Sequence, residues 1–109
     1  RKRAKDLRHQ LRLLEPVWPR VMPAVSAEAD RLSELLGQEH DLHVLRAVIL
    51  AEPELRAVES TPAYLDLLTR QQDTLRAEAE VIGRRLAAEK PKRLVRRLAA
   101  YDAAADGLR

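Results

Sequence analysis

Cysteine is absent from this chain, so no disulfide can staple it and no thiolate can hold zinc or serve as a nucleophile. Phenylalanine is absent as well, and one Trp and two Tyr are the only large aromatic rings in 109 residues. That scarcity argues against a binder that stacks single-stranded bases on aromatic platforms. No apolar run approaches the length of a membrane span, and no charged-then-apolar leader with a small-residue cleavage site is visible. The expected setting is cytoplasmic, with no membrane partner. The chain opens on Arg1 rather than Met, so a piece of a longer protein is expected.

What is present is charge, unevenly placed. Residues 1–12 hold six basic side chains and one acid, and residues 84–97 hold seven and one. The stretch between, residues 13–83, holds six basic and thirteen acidic side chains, so the formal net charge of +3 conceals two strongly positive segments around an acidic middle. Separated fields of that kind fit a polyanion or an acidic partner.

The apolar residues are mostly Leu, Ala, Val and Ile, which suit packed helices, and their spacing is helical throughout. Ala4, Leu7, Leu11 and Leu14 form one stripe, predicting a first helix over 1–15. Pro16 to Pro23 reads as a turn region with Trp18 as a plug against the helix ends. Val25, Ala29, Leu32, Leu36, His43, Ala47 and Leu50 predict a long buried line over 22–51, through Gly37, which costs about 1 kcal/mol relative to Ala. Ser60-Thr61-Pro62 is a helix-start signal, with Ser60 or Thr61 as N-cap and Pro62 in the first turn. The third helix is expected to reach about residue 89 on Leu65, Leu68, Leu75, Ala79, Ile82 and Leu86. Pro91 opens a fourth, with Leu94, Leu98, Tyr101 and Ala105 inward. The fold class is therefore all-α, an antiparallel helical bundle of about four helices in a single domain over 1–109.

On the first helix Arg1, Lys5, Arg8 and Arg12 fall within a sector of roughly 60°, beside the apolar stripe. The sole acid there, Asp6, lies on another side. Such a rail reads either as a solvated face or as a surface for a row of phosphates, for which Arg offers a planar fork and Lys a mobile point charge. Lys90, Lys92, Arg93, Arg96 and Arg97 crowd a helix start, the unfavourable end of the dipole for cations, which implies a compensating anion. Arg84 and Arg85 could extend that patch. His40 and His43, with Glu39, make only a partial zinc shell; on the predicted buried line, they read first as interhelical polar packing, and His40 as a possible aid to an anion. No metal or other cofactor is expected. With no Gly-rich phosphate loop, and with Ser26, Ser33 and Ser60 in no nucleophile setting, no catalysis is expected either.

The segments RKRAKDLRHQL, LSELLGQEHDLHVLR and AAEKPKRLVRRL together resemble the C-terminal half of a CHAD domain, the conserved histidine α-helical domain. The resemblance implies one half of a two-bundle helical fold around a basic groove, with inorganic polyphosphate as ligand. The family's basic positions correspond to Lys2, Lys5 and Arg8, its Leu-Gly and Asp to Leu36, Gly37 and Asp41, and its third motif to Lys90, Pro91, Lys92 and Arg93. His9 stands where the family commonly has Tyr, and the family's eponymous histidine would precede Arg1. The expected binding set is Arg1, Lys2, Lys5, Arg8, His9, Arg12, Lys90, Lys92, Arg93, Arg96 and Arg97, supported by His40, Arg84 and Arg85. A homodimer could rebuild the two-bundle arrangement. Nucleic acid is expected only as a non-specific competitor; a nucleic-acid backbone binder and a helical protein-interaction module are the alternative readings.

Overall fold

The computed structural model describes residues 2–106, all of whose regular structure is helical. Helix α1 covers Lys2–Leu14 and passes into a short 3-10 turn at Glu15–Val17, where Pro16 ends the α-helical ladder. The Trp18 carbonyl then accepts hydrogen bonds from the Val21 and Met22 amides, at 3.0 and 2.9 Å, and α2 follows over Met22–Ala51. Glu52 is extended, as the residue before a proline prefers, and stops α2. A single-turn helix α3 at Pro53–Arg56 fills part of the connection between α2 and the helix that starts at Thr61.

Helix α4 covers Thr61–Ala87, with Pro62 in its first turn. The expected side-chain cap is missing: Ser60 occupies the N-cap position in a helical conformation, and the Thr61 hydroxyl instead donates to the Leu55 carbonyl. α4 ends two residues before the predicted 89. Helix α5, Pro91–Asp106, starts at the predicted proline, and the Lys90 carbonyl accepts from the Arg93 and Leu94 amides at 2.9 and 3.0 Å.

α2 runs antiparallel to α1 and α4. Along its length Arg31 pairs with Glu78, Glu39 with Arg76, and Arg46 with Thr69 and the Leu65 carbonyl, so the numbers rise on one helix as they fall on the other. The core has two parts. Ala4, Leu32, Leu35, Leu75, Ala79 and Ile82 join α1, α2 and α4; Leu11, Met22, Ala29 and Leu98 join α1, α2 and α5; Leu86 touches both. The long axis measures 70 Å, beyond the about 45 Å that 30 residues of α2 can span. α5 reaches the turn before α2, where Tyr101 meets Trp18 edge-on at a centroid distance of 4.6 Å. Trp18 is not the expected plug: it stays exposed outside both parts of the core and meets only the side of α5 through Tyr101.

The far half of the α2 line does not face the core. His43, Ala47 and Leu50 are exposed, as is His40, while Leu35 and Ile49 are buried in their place and Leu42 and Arg46 half-buried. At about 100° per residue the line drawn from Val25 stays within a sector of about 60°, but the buried face turns off it: Met22 and Ala29 pack towards α1 and α5, whereas Leu42 and Arg46, further round the helix, face α4. What α4 meets there is a polar seam. Arg46 donates to Gln72 Oε1, the Leu65 carbonyl and the Thr69 hydroxyl; Gln72, itself buried, donates to Glu39 Oε1 at 3.2 Å, and Arg76 donates to the same oxygen at 2.7 Å. Such a network fixes the register of two helices more specifically than aliphatic contacts would.

Candidate anion-binding site

The first basic group lies on the flank of α1 that borders α2. Ala4, Leu7, Leu11 and Leu14 turn inward, and this orientation carries Lys5, Arg8 and Arg12 to one side of the buried stripe. Lys2, Lys5, His9 and Arg12 are exposed and Arg8 is half-buried. Arg1 lies outside the described residues. Asp30, one turn after the buried Ser26 on α2, faces the rail: its Oδ1 stands 3.7 Å from Arg8 Nε and its Oδ2 3.5 Å from Arg12 Nη2. This carboxylate has no counterpart in the sequence reading, because only the packing of α1 on α2 brings it to the rail.

The second basic group surrounds the start of α5. Lys90, Lys92, Arg93 and Arg96, with Pro91, line an open concavity of about 620 Å³, and no acidic side chain lines it. All four cations are exposed. Arg97 is held elsewhere: its Nε and Nη2 donate to the two carboxylate oxygens of Glu89 at 2.9 and 2.8 Å, its Nη1 donates to the Tyr101 hydroxyl at 3.2 Å, and its guanidinium lies 5.5 Å from the Tyr101 ring centre. The hydrogen bonds from Arg97, together with its charge and that of Arg93, hold the Glu89 carboxyl below the ordinary glutamate range against partial desolvation, and the same pairing pushes Arg97 further up. Arg97 therefore ties α5 to the end of α4 and, through Tyr101 and Trp18, to the turn after α1.

No residue of the α1 rail lines the α5 concavity. Between α1 and α5 runs an apolar groove lined by Leu7, Leu13, Leu14, Leu94 and Val95, with Arg3, Gln10 and Glu89 at its edges. Arg84 pairs with Glu80 one turn back on α4, and Arg85 borders a separate groove with Glu28 and Val25. Neither lines the α5 concavity. His40 and His43 stack on one another in solvent, 6.4 Å between centroids, far along α2 from the rail. Among the described residues no three His, Cys, Asp or Glu side chains are grouped to hold a metal ion, and no helix is long and apolar enough to cross a membrane.

The family model described as the CHAD domain matches residues 1–50. It takes in the first two of the three segments on which the resemblance was drawn, together with the α1 rail and Asp30; the Lys90 to Arg97 segment lies beyond it. No curated protein and no solved structure matches the chain.

Proposed function

We propose that this chain, whose residues 1–50 match the CHAD-domain family model, is a non-catalytic module that binds long inorganic polyphosphate in a cytoplasmic setting. The observation that carries the reading is the open concavity at the start of α5, which Lys90, Lys92, Arg93 and Arg96 line with no carboxylate among them. The attraction comes from the side chains, since Pro91 has no amide hydrogen and the Arg93 and Leu94 amides already donate to the Lys90 carbonyl. The α1 rail supplies a second basic surface through Lys2, Lys5, Arg8, His9 and Arg12, and its separation from the first favours a long linear anion over a compact one. Each phosphate contact releases counterions, so affinity falls steeply with salt.

The test is a titration of the chain with long-chain polyphosphate at two salt concentrations, with a DNA oligonucleotide as competitor. Salt-sensitive binding that outlasts the DNA is expected. Replacing Lys5, Arg8 and Arg12 with Ala, or Lys90, Lys92, Arg93 and Arg96 with Ala, should each weaken binding by about tenfold or more, on the scale of several exposed ion pairs. The combined variant should not bind while remaining helical. Unchanged binding in the combined variant would discard the site, displacement by DNA at equal phosphate concentration would favour a nucleic-acid backbone binder, and no binding in a helical wild-type sample would discard polyphosphate.

A further inference from the structure

The geometry points to Asp30 as a resident counter-ion that competes with the incoming anion for Arg8 and Arg12, and so sets how strongly the α1 rail takes up phosphate. This inference rests on the polyphosphate reading of the rail and adds to it the residue that limits its affinity. The Asp30 carboxylate stands between two guanidinium groups on α1, at 3.7 Å from Arg8 Nε and 3.5 Å from Arg12 Nη2. Both separations are too long for hydrogen bonds. Arg8 Nε and Asp30 Oδ1 are buried atoms with no hydrogen-bond partner in the protein, and Ser26 Oγ, one turn earlier on the same α2 flank, is a third. Three unsatisfied polar atoms in one seam are uncommon in a folded protein.

A pair attracted by charge but not locked by hydrogen bonds is easily exchanged. Without Asp30, Arg8 and Arg12 would stand one turn apart as like charges with nothing between them. The carboxylate relieves that repulsion when the rail is empty, and it cancels one positive charge when a phosphate arrives. Arg8 Nε itself is buried, so a phosphate oxygen meets the outer guanidinium nitrogens of Arg8 and Arg12, whose side chains are partly exposed, and there replaces the distant Asp30 carboxylate as charged acceptor. The contrast with Glu89 is direct: there the carboxylate is bidentate at 2.9 and 2.8 Å and its arginine is already satisfied. Arg97 is held in place, whereas Arg8 and Arg12 are held in reserve.

The experiment compares the wild-type chain with Asp30→Asn, which removes the charge and keeps the shape, and with Asp30→Ser as a second variant, all confirmed helical by circular dichroism. Each is titrated with long-chain polyphosphate across a series of salt concentrations. Both variants are expected to bind about fivefold more tightly, the scale of one partly exposed ion pair. The slope of log affinity against log salt should steepen by about one, since a cation formerly matched inside the protein now meets phosphate. A purely structural Asp30 would shift thermal stability and leave that slope where it was. Wild type and variants binding with equal affinity and slope, or variants binding more weakly, would overturn the competing role of Asp30 and leave the polyphosphate reading intact. No binding by any of the three would overturn the reading and the role together.

Discussion

The two basic groups look alike in the sequence and differ in what the fold does to them. Each is a cluster of Arg and Lys with one acid nearby. At α5 the acid is Glu89, close in sequence, and it takes Arg97 out of the cluster through two hydrogen bonds while leaving Lys90, Lys92, Arg93 and Arg96 around an open concavity. At α1 the nearby acid in the sequence is Asp6, on another side of the helix, and the carboxylate that meets the rail is Asp30 from α2, which stands off both arginines at 3.5 to 3.7 Å. The lesson is that counting cations overstates one cluster by a residue that serves the fold and misses, in the other, a carboxylate that dampens the whole rail.

The largest expected effect comes from Leu11, which lies beneath both groups where α1, α2 and α5 meet and is 1% exposed. Leu11→Ala should destabilise the chain by about 2–5 kcal/mol, as large-to-small core substitutions do, and loosen the two clusters together. Urea unfolding followed by circular dichroism measures it; a loss below about 1 kcal/mol would mean that the α1–α2–α5 core holds the clusters less firmly than its burial implies.

A sharper separation comes from acid titration of the α5 cluster. Because the folded state lowers the Glu89 carboxyl pKa, the Glu89–Arg97 pair contributes stability at pH values above the ordinary glutamate range, and that contribution is lost as pH falls through the lowered folded value. Arg97 stays charged throughout and adds no pH dependence of its own. Melting temperatures recorded from about pH 6 down to about pH 3 should fall less steeply in Glu89→Gln than in wild type. The same substitution frees Arg97 and should make polyphosphate binding more salt-sensitive. Parallel pH profiles for the two proteins would show that the pair contributes nothing measurable to folding.

The smallest effect is a control on the platform shared by the rail and the polar seam. A Cβ added at Gly37, inside α2, meets nothing within 4 Å. Gly37→Ala should therefore stabilise the helix by about 0.5–1 kcal/mol through the unfolded chain's lost freedom, with polyphosphate affinity unchanged. A destabilised variant would show that the open space beside Gly37 is used.

Much of this architecture was legible before any coordinates. The α1 stripe of Ala4, Leu7, Leu11 and Leu14 turns inward as read, as do Leu68, Leu75, Ala79 and Ile82 on α4 and Leu98 on α5. Pro91 starts its helix where a residue with no amide hydrogen to donate is best tolerated. The failures fall on α2 beyond its midpoint. The spacing puts His43, Ala47 and Leu50 inside, yet Leu42, Arg46 and Ile49 take those positions, because the buried face turns round α2 from α1 and α5 towards α4. Nothing in the local pattern distinguishes a buried Gln72 from a solvated one.

The sequence by itself determined an all-helical chain, the places where its helices start and stop, and the concentration of positive charge on α1 and at the start of α5. Those follow from proline positions, apolar periodicity and composition, which act over a few residues. Only the tertiary structure decided which cations remain available. Asp30 reaches Arg8 and Arg12 because α1 folds back along α2, and Arg97 is drawn to Glu89 and Tyr101 by the break between α4 and α5. Coulomb attraction depends on distance through space, and the chain carries no local record of distances that arise only when its helices pack.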